Sequence, residues 1–188
     1  MRLFAAVLPP ESATAELAAA VAPLHDLPEA DRLTWTARAG WHFTLAFYGE
    51  VAAETLPDLY TRLGRAAHRN GAFQLRLTGG GSFGNRALWA GASGGLPPMR
   101  RLADATSAAA RRAGVDMSAH HAYTPHLTLA RNRTDAVDLA AYVEALADFE
   151  GRPWRAEELT LVRSNPPQPG VPGAQPRYQR VTSWPLGE

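Results

Sequence analysis

Apolar and polar positions alternate with period two over Trp41-His42-Phe43-Thr44-Leu45-Ala46-Phe47, and the same pattern returns at Pro125-His126-Leu127-Thr128-Leu129-Ala130-Arg131. On a β-strand successive side chains point to opposite faces. That spacing predicts a face carrying His42, Thr44 and Ala46 in the first copy and His126, Thr128 and Ala130 in the second. Phe43, Leu45 and Phe47, with Leu127 and Leu129, are expected to point into a core. Two such strands in one chain predict a pseudo-symmetric molecule whose paired strands face a shared cleft.

The remaining elements follow from the same reading. Strands are expected over Arg2 to Leu8, Leu33 to Thr36, Trp41 to Tyr48, Phe73 to Leu77, Ala87 to Gly91, Ala122 to Arg131, Glu158 to Arg163 and Arg177 to Trp184. Helical spacing predicts helices over Glu11 to Leu24, Ala53 to Asn70 and Pro97 to Ala113, and a fourth capped by Thr134 and reaching about Phe149. Gly79-Gly80-Gly81 is expected to break its strand as a turn or bulge, and Asn165 to Pro176, with five prolines and two glycines, reads as a loop. Hairpins interleaved with helices favour an α+β fold of two largely antiparallel sheets flanking a central cleft, with helices outside. The whole chain, 1–188, reads as one bilobal domain.

Composition narrows the chemistry. The absence of cysteine excludes disulfides and thiolate metal sites. The apolar run after Arg2 stops at Pro9-Pro10, too short for a signal peptide, and no run approaches a membrane span, so the cytoplasm is the expected compartment; a monomer is expected because nothing in the sequence suggests otherwise. A formal charge of +1 gives no reason for broad electrostatic binding of nucleic acid. All 19 basic residues are arginine, which fits compositional bias together with the abundant alanine, glycine and proline.

Two imidazoles can divide acid and base duties near neutral pH, and a hydroxyl two residues along the same face can donate to an anionic oxygen. If the strands face each other, they bracket one small anion, which is equipment for cleaving a phosphoester by in-line displacement. A lone His-x-Thr carries little information; its recurrence with matching flanks carries much more. No His-x-x-x-His helix or carboxylate cluster completes a zinc set.

These residues, together with Arg2-Leu3-Phe4-Ala5-Ala6, Tyr48-Gly49, Leu161-Val162-Arg163-Ser164 and the closing Tyr178 to Leu186 segment, resemble the 2H phosphoesterases over nearly the full length. Within them the similarity is to the RNA 2′,3′-cyclic phosphodiesterases, once called 2′–5′ RNA ligases. The resemblance implies a bilobal fold, no metal or other cofactor, and hydrolysis of terminal 2′,3′-cyclic phosphates on RNA to 2′-phosphomonoesters. It implies that His42 is the proton donor to the leaving 3′-oxygen and His126 the acceptor from water. Thr44 and Thr128 would hold phosphoryl oxygens, and Arg131 would add charge beside them.

Some positions depart from that pattern. His121 stands where arginine is frequent, Tyr123 where phenylalanine is common, and Trp41 where a smaller apolar residue is usual. Trp41, Tyr48, Tyr123 and Tyr178 could stack a base at the cleft mouth or belong to the core. His120 and His121 read as a loop pair able to line the cleft. His25 and His68, and the pairs Arg100-Arg101 and Arg111-Arg112, read as solvated. The competing expectation is a nucleotide- or RNA-binding module that uses the same cleft without catalysis.

Overall fold

In the computed structural model, which describes residues 1–117 and 123–188, nine strands form two sheets, and every pairing between strands is antiparallel. The first sheet has the order β3-β1-β8-β9, from Phe43–Glu50, Arg2–Val7, Glu158–Asn165 and Arg177–Pro185. The second has the order β2-β6-β5-β4-β7, from Thr34–Trp35, Leu127–Arg131, Ala87–Gly94, Phe73–Phe83 and Trp154–Ala156. The α+β class and the antiparallel sheets agree with the sequence. The sheets do not follow the sequence halves, however: β8 returns to pair with β1 and β9 adds outside it, while β2 crosses to β6.

Four helices follow from amphipathic spacing. Helix α2 (Leu56–Arg69) buries Leu59, Leu63, Ala66 and Ala67, one stripe of a 3.6-residue period, with proline in its first turn. Helix α3 (Leu96–Arg112) buries Met99, Leu102, Ala103, Thr106, Ala109 and Ala110, and packs against α2 and β3. The Tyr48 hydroxyl donates to the Thr106 carbonyl oxygen at 3.1 Å, tying β3 to α3 inside the core. Helix α1 (Glu11–Val21) tightens into a 3₁₀ turn at Ala22–Asp26, where Pro23 enters. Among the described residues no helix is long and apolar enough to cross a membrane.

Three elements differ from expectation. Helix α4 spans only Ala140–Leu146, because Asp135 adopts a left-handed φ of 55° right after Thr134. Paired amides fill that gap: Asn132 Nδ2 donates to the carbonyls of Asn85 and Val137, and Asn85 Oδ1 accepts from the Leu139 N–H. Strand β4 runs through the three glycines, with a bulge at Gly79, whose φ is 61°. Gly81 is there for space: a Cβ would lie 2.4 Å from the Trp89 indole. The short β7 was not anticipated, since three residues are too few to show a period. β6 begins at Leu127; the expected start at Ala122, like His120 and His121, lies outside the described residues.

Candidate active site

Both His-x-Thr strands deviate from strict alternation at the same point. In the β1–β3 register Ala5 pairs with Ala46 and Ala6 with Thr44, leaving Leu45 as an extra residue. In β5–β6, Leu88 pairs with Ala130 and Trp89 with Thr128, leaving Leu129 extra. An extra residue shifts the phase of every side chain beyond it. Each strand therefore reads, from the residue after its histidine, buried, half-buried, buried, buried, exposed. Ala46 and Ala130 go inward, while Phe47 and Arg131 turn to the cleft, the reverse of what alternation predicts for Ala46, Ala130 and Phe47.

The result is one cleft of about 820 Å³ lined by His42, Thr44, His126 and Thr128 together. Each histidine stands one residue before its strand and turns its ring back on the chain. His42 Nδ1 lies 2.7 Å from the Gly40 carbonyl oxygen, and His126 Nδ1 lies 2.8 Å from that of Thr124. A carbonyl only accepts, so both Nδ1 atoms carry the proton, and each Nε2 is left for a ligand. Aromatic rings hold both imidazoles. Phe4 lies 4.7 Å and Tyr178 5.1 Å from the His42 ring, and Phe83 4.6 Å and Trp89 6.2 Å from that of His126.

The two histidines are not equivalent. Burial pushes the His42 pKa below 6.5, the Gly40 carbonyl works against that, and the charge of His126 adds to the lowering. Neither Thr44 nor Thr128 has a hydrogen-bond partner for its hydroxyl among the described residues, so both are free to donate to a ligand.

Charge is concentrated here although the chain is nearly neutral overall. Arg2, Arg131, Arg133 and Arg177 line the cleft with no carboxylate among its lining residues, and none of the four pairs with one among the described residues. Such a wall attracts anions. Tyr178 also lines the cleft; burial raises its phenol pKa, and the charges of Arg131 and Arg2 oppose that rise. At the rim, the loop between β8 and β9, residues 166–176, is one residue shorter than expected because Asn165 pairs with Arg177 in the sheet, and it is fastened by Gln175. Its Nε2 donates to the Trp35 carbonyl oxygen, and its Oε1 accepts from the Ala37 N–H at 3.0 Å.

The structure brings together His42, Thr44, His126, Thr128, Arg131 and Tyr178, and leaves out three aromatics. Trp41 is 8% exposed in the core, its Nε1 donating to the Thr36 carbonyl. Tyr48 is core as well, and burial raises its phenol pKa. Tyr123 packs against the core and does not line the cleft; burial raises its phenol pKa more than the Arg100 charge lowers it. Arg2, Phe4, Phe47, Phe83, Trp89 and Gln175 were missed. The equal spacing from His42 to Phe47 and from His126 to Arg131 was the available signal for Phe47. Among the described residues no three histidine, aspartate or glutamate side chains gather as metal ligands.

The chain was compared with known families, proteins and structures. A sequence profile described as the 2'-5' RNA ligase superfamily matches residues 9–167. The RNA 2',3'-cyclic phosphodiesterase of Thermus thermophilus is 33% identical over 188 aligned residues, covering 87% of this chain and 82% of that protein. Its counterpart from Escherichia coli K12 is 34% identical over 116 residues, covering 61% and 63%. A Geobacillus stearothermophilus protein of the same name is 24% identical over 159 residues, 81% of this chain but 48% of that protein. In structure, E. coli LigT complexed with 3'-AMP superposes with a TM-score of 0.78 at 25% identity, over 100% of this chain and 98% of that one. TT0787 of T. thermophilus gives 0.78 at 29% over the full length of both.

Proposed function

Because the chain belongs to the 2'-5' RNA ligase superfamily, we propose that it is an RNA 2′,3′-cyclic phosphodiesterase. Its substrate is an RNA or oligonucleotide ending in a 2′,3′-cyclic phosphate, and its product carries a 2′-phosphomonoester and a free 3′-hydroxyl. The observation that carries the reading is the pair of imidazoles, each with Nδ1 committed to a carbonyl, meeting on one arginine-walled cleft. Binding alone does not require two rings with free Nε2 atoms. We take the protein to be a monomer and the cytoplasm to be its setting.

In this mechanism the Thr44 and Thr128 hydroxyls donate to the non-bridging phosphoryl oxygens, and the arginine wall favours the charge that builds there. His126 Nε2 takes a proton from water as the water oxygen bonds to phosphorus. The bond to the 3′-oxygen breaks in line, and His42 Nε2–H supplies the proton to that oxygen. Burial disfavours the charged form of the His42 ring in the free protein, so its acid role draws on the substrate: an anionic phosphodiester beside the ring favours the imidazolium form. A ribose 5′-hydroxyl in place of water would give a 2′–5′ linkage through the same bonds.

The test is to incubate an oligonucleotide carrying a 2′,3′-cyclic phosphate with the protein and identify the product by ³¹P NMR. A 2′-phosphate alone, formed about 100-fold or more slowly by His42→Ala and by His126→Ala, supports the reading. Substrate that binds but stays unaltered would make the cleft a binding module instead.

A further inference from the structure

Helices α2 and α3 leave a groove of about 260 Å³ between them, floored by alanines of both and walled by Arg62, Arg65 and Arg69 of α2 and by Arg112 of α3. No carboxylate lines it. Thr44 lines the cleft, whereas Tyr48 reaches the other way to Thr106 of α3, so groove and cleft lie on opposite faces of the first sheet. Arg62 gives its Nε–H to Asp58 at 2.8 Å. Arg65, Arg69 and Arg112 are exposed and have no carboxylate partner among the described residues. Positive charge at Arg69 and Arg112 offsets the helix dipole in the last turn of each helix, but Arg62 and Arg65 lie further up α2, where that effect has faded. Arg65 and Arg69 are moreover four residues apart on one helix, a like-charge spacing that destabilises until an anion lies between them.

The charge of the whole chain is sorted in the same direction. Helices α2 and α3 carry seven of its 19 arginines and two of its 18 acidic residues. The cleft takes four more arginines and no carboxylate, which leaves eight arginines against sixteen acidic residues elsewhere. A polyanion is therefore drawn to two places and repelled by the rest. The groove has no aromatic ring to stack a base, and Asn70, its one amide, is turned onto the Ala66 carbonyl at 2.7 Å. Its volume is below the ~300 Å³ at which sites enclosing a small molecule begin, and an alanine floor gives an acidic peptide no pocket for an anchoring side chain. Guanidinium forks in a row suit successive phosphates on a strand lying along the surface. We infer that the α2–α3 groove is a second anion site, which holds the phosphodiester backbone of single-stranded RNA without regard to sequence and away from the end that enters the cleft. Such a site goes beyond the function proposed above, and RNA binding there can be tested without turnover.

The probe is a labelled oligouridylate of about 12 nucleotides with an ordinary 3′-hydroxyl end, its binding measured across a salt series while excess 2′-UMP occupies the cleft. Wild type should bind it. Arg65→Ala/Arg69→Ala should weaken binding about 5-fold or more, what two exposed ion pairs yield together. The same variant should lower the slope of log Kd against log salt by about 1.4, two phosphate contacts on a single strand. Arg65→Lys/Arg69→Lys should keep the slope, because the charge stays. Arg100→Ala/Arg101→Ala removes as much charge from α3 outside the groove, and should change the slope by less than half as much. Hydrolysis of a 2′,3′-cyclic mononucleotide should be the same in all four proteins, since that substrate reaches only the cleft. RNA that 2′-UMP displaces fully, a slope unchanged in Arg65→Ala/Arg69→Ala, or an equal loss in Arg100→Ala/Arg101→Ala would overturn the RNA groove. So would polyglutamate that binds more tightly than RNA of equal charge, which would make the groove a protein-docking surface. If none of the proteins turns over the cyclic mononucleotide, the catalytic reading has failed separately, and the RNA measurements still decide the groove.

Discussion

Replacing Thr44 by valine removes one hydroxyl and keeps the branched shape that suits a strand. Thr44 is half-buried opposite Ala6, and its hydroxyl has no partner among the described residues, so nothing inside the free protein is left unsatisfied by its loss. Stability should therefore change by no more than about 0.5 kcal/mol. Activity is another matter. A hydrogen bond to a charged acceptor is worth about 1.5–3 kcal/mol, and losing one to a phosphoryl oxygen should lower kcat/KM by about 10- to 150-fold. Thr128→Val should fall in the same range, because Thr128 occupies the equivalent step of β6 opposite Trp89. The assay is steady-state hydrolysis of a cyclic-phosphate dinucleotide beside thermal unfolding of the same preparations. A kcat/KM within 3-fold of wild type, or an activity loss matched by a comparable loss of stability, would refute the assignment of these hydroxyls to the phosphate.

Three further outcomes follow from the geometry. Gly81→Ala should cost about 1–3 kcal/mol of stability, since its Cβ would meet the Trp89 indole at 2.4 Å, and should slow turnover because Trp89 and Phe83 frame the His126 ring; unchanged unfolding would contradict this. Gln175→Ala should unfasten the rim loop, seen as faster proteolysis within 166–176 and a raised KM with little change in kcat. In His126→Ala the His42 pKa, followed by NMR, should rise because a like charge is gone, yet stay below 6.5 because burial is the larger cause. Activity requiring protonated His42 should thus decline as pH rises through that lowered value, and bound anion should move the decline to higher pH.

How much of this could be read from the chain depended on the range of the interaction. The four central residues were legible because each His-x-Thr pair is local and occurs twice. The antiparallel sheets and three of the helices were legible from periodicity. The facing of Ala46, Phe47 and Ala130 was not, because the bulges at Leu45 and Leu129 are set by pairing with β1 and β5, far away in sequence. Trp41 and Tyr48 lie in the core and Tyr123 packs against it, yet no pattern separates them from Tyr178, since all four are aromatics near a motif. Helix α4 was overestimated because the Asn85–Asn132 amide pair that replaces its first turns joins residues 47 apart.

Whether the two imidazoles serve one phosphoryl group is tested directly by NMR of both histidine rings during titration with a 2′-nucleotide. The His42 and His126 resonances should move together along one saturation curve with a single Kd, each ring gaining proton occupancy as the dianion enters. Two different Kd values, or one ring that stays still while the other saturates, would contradict it.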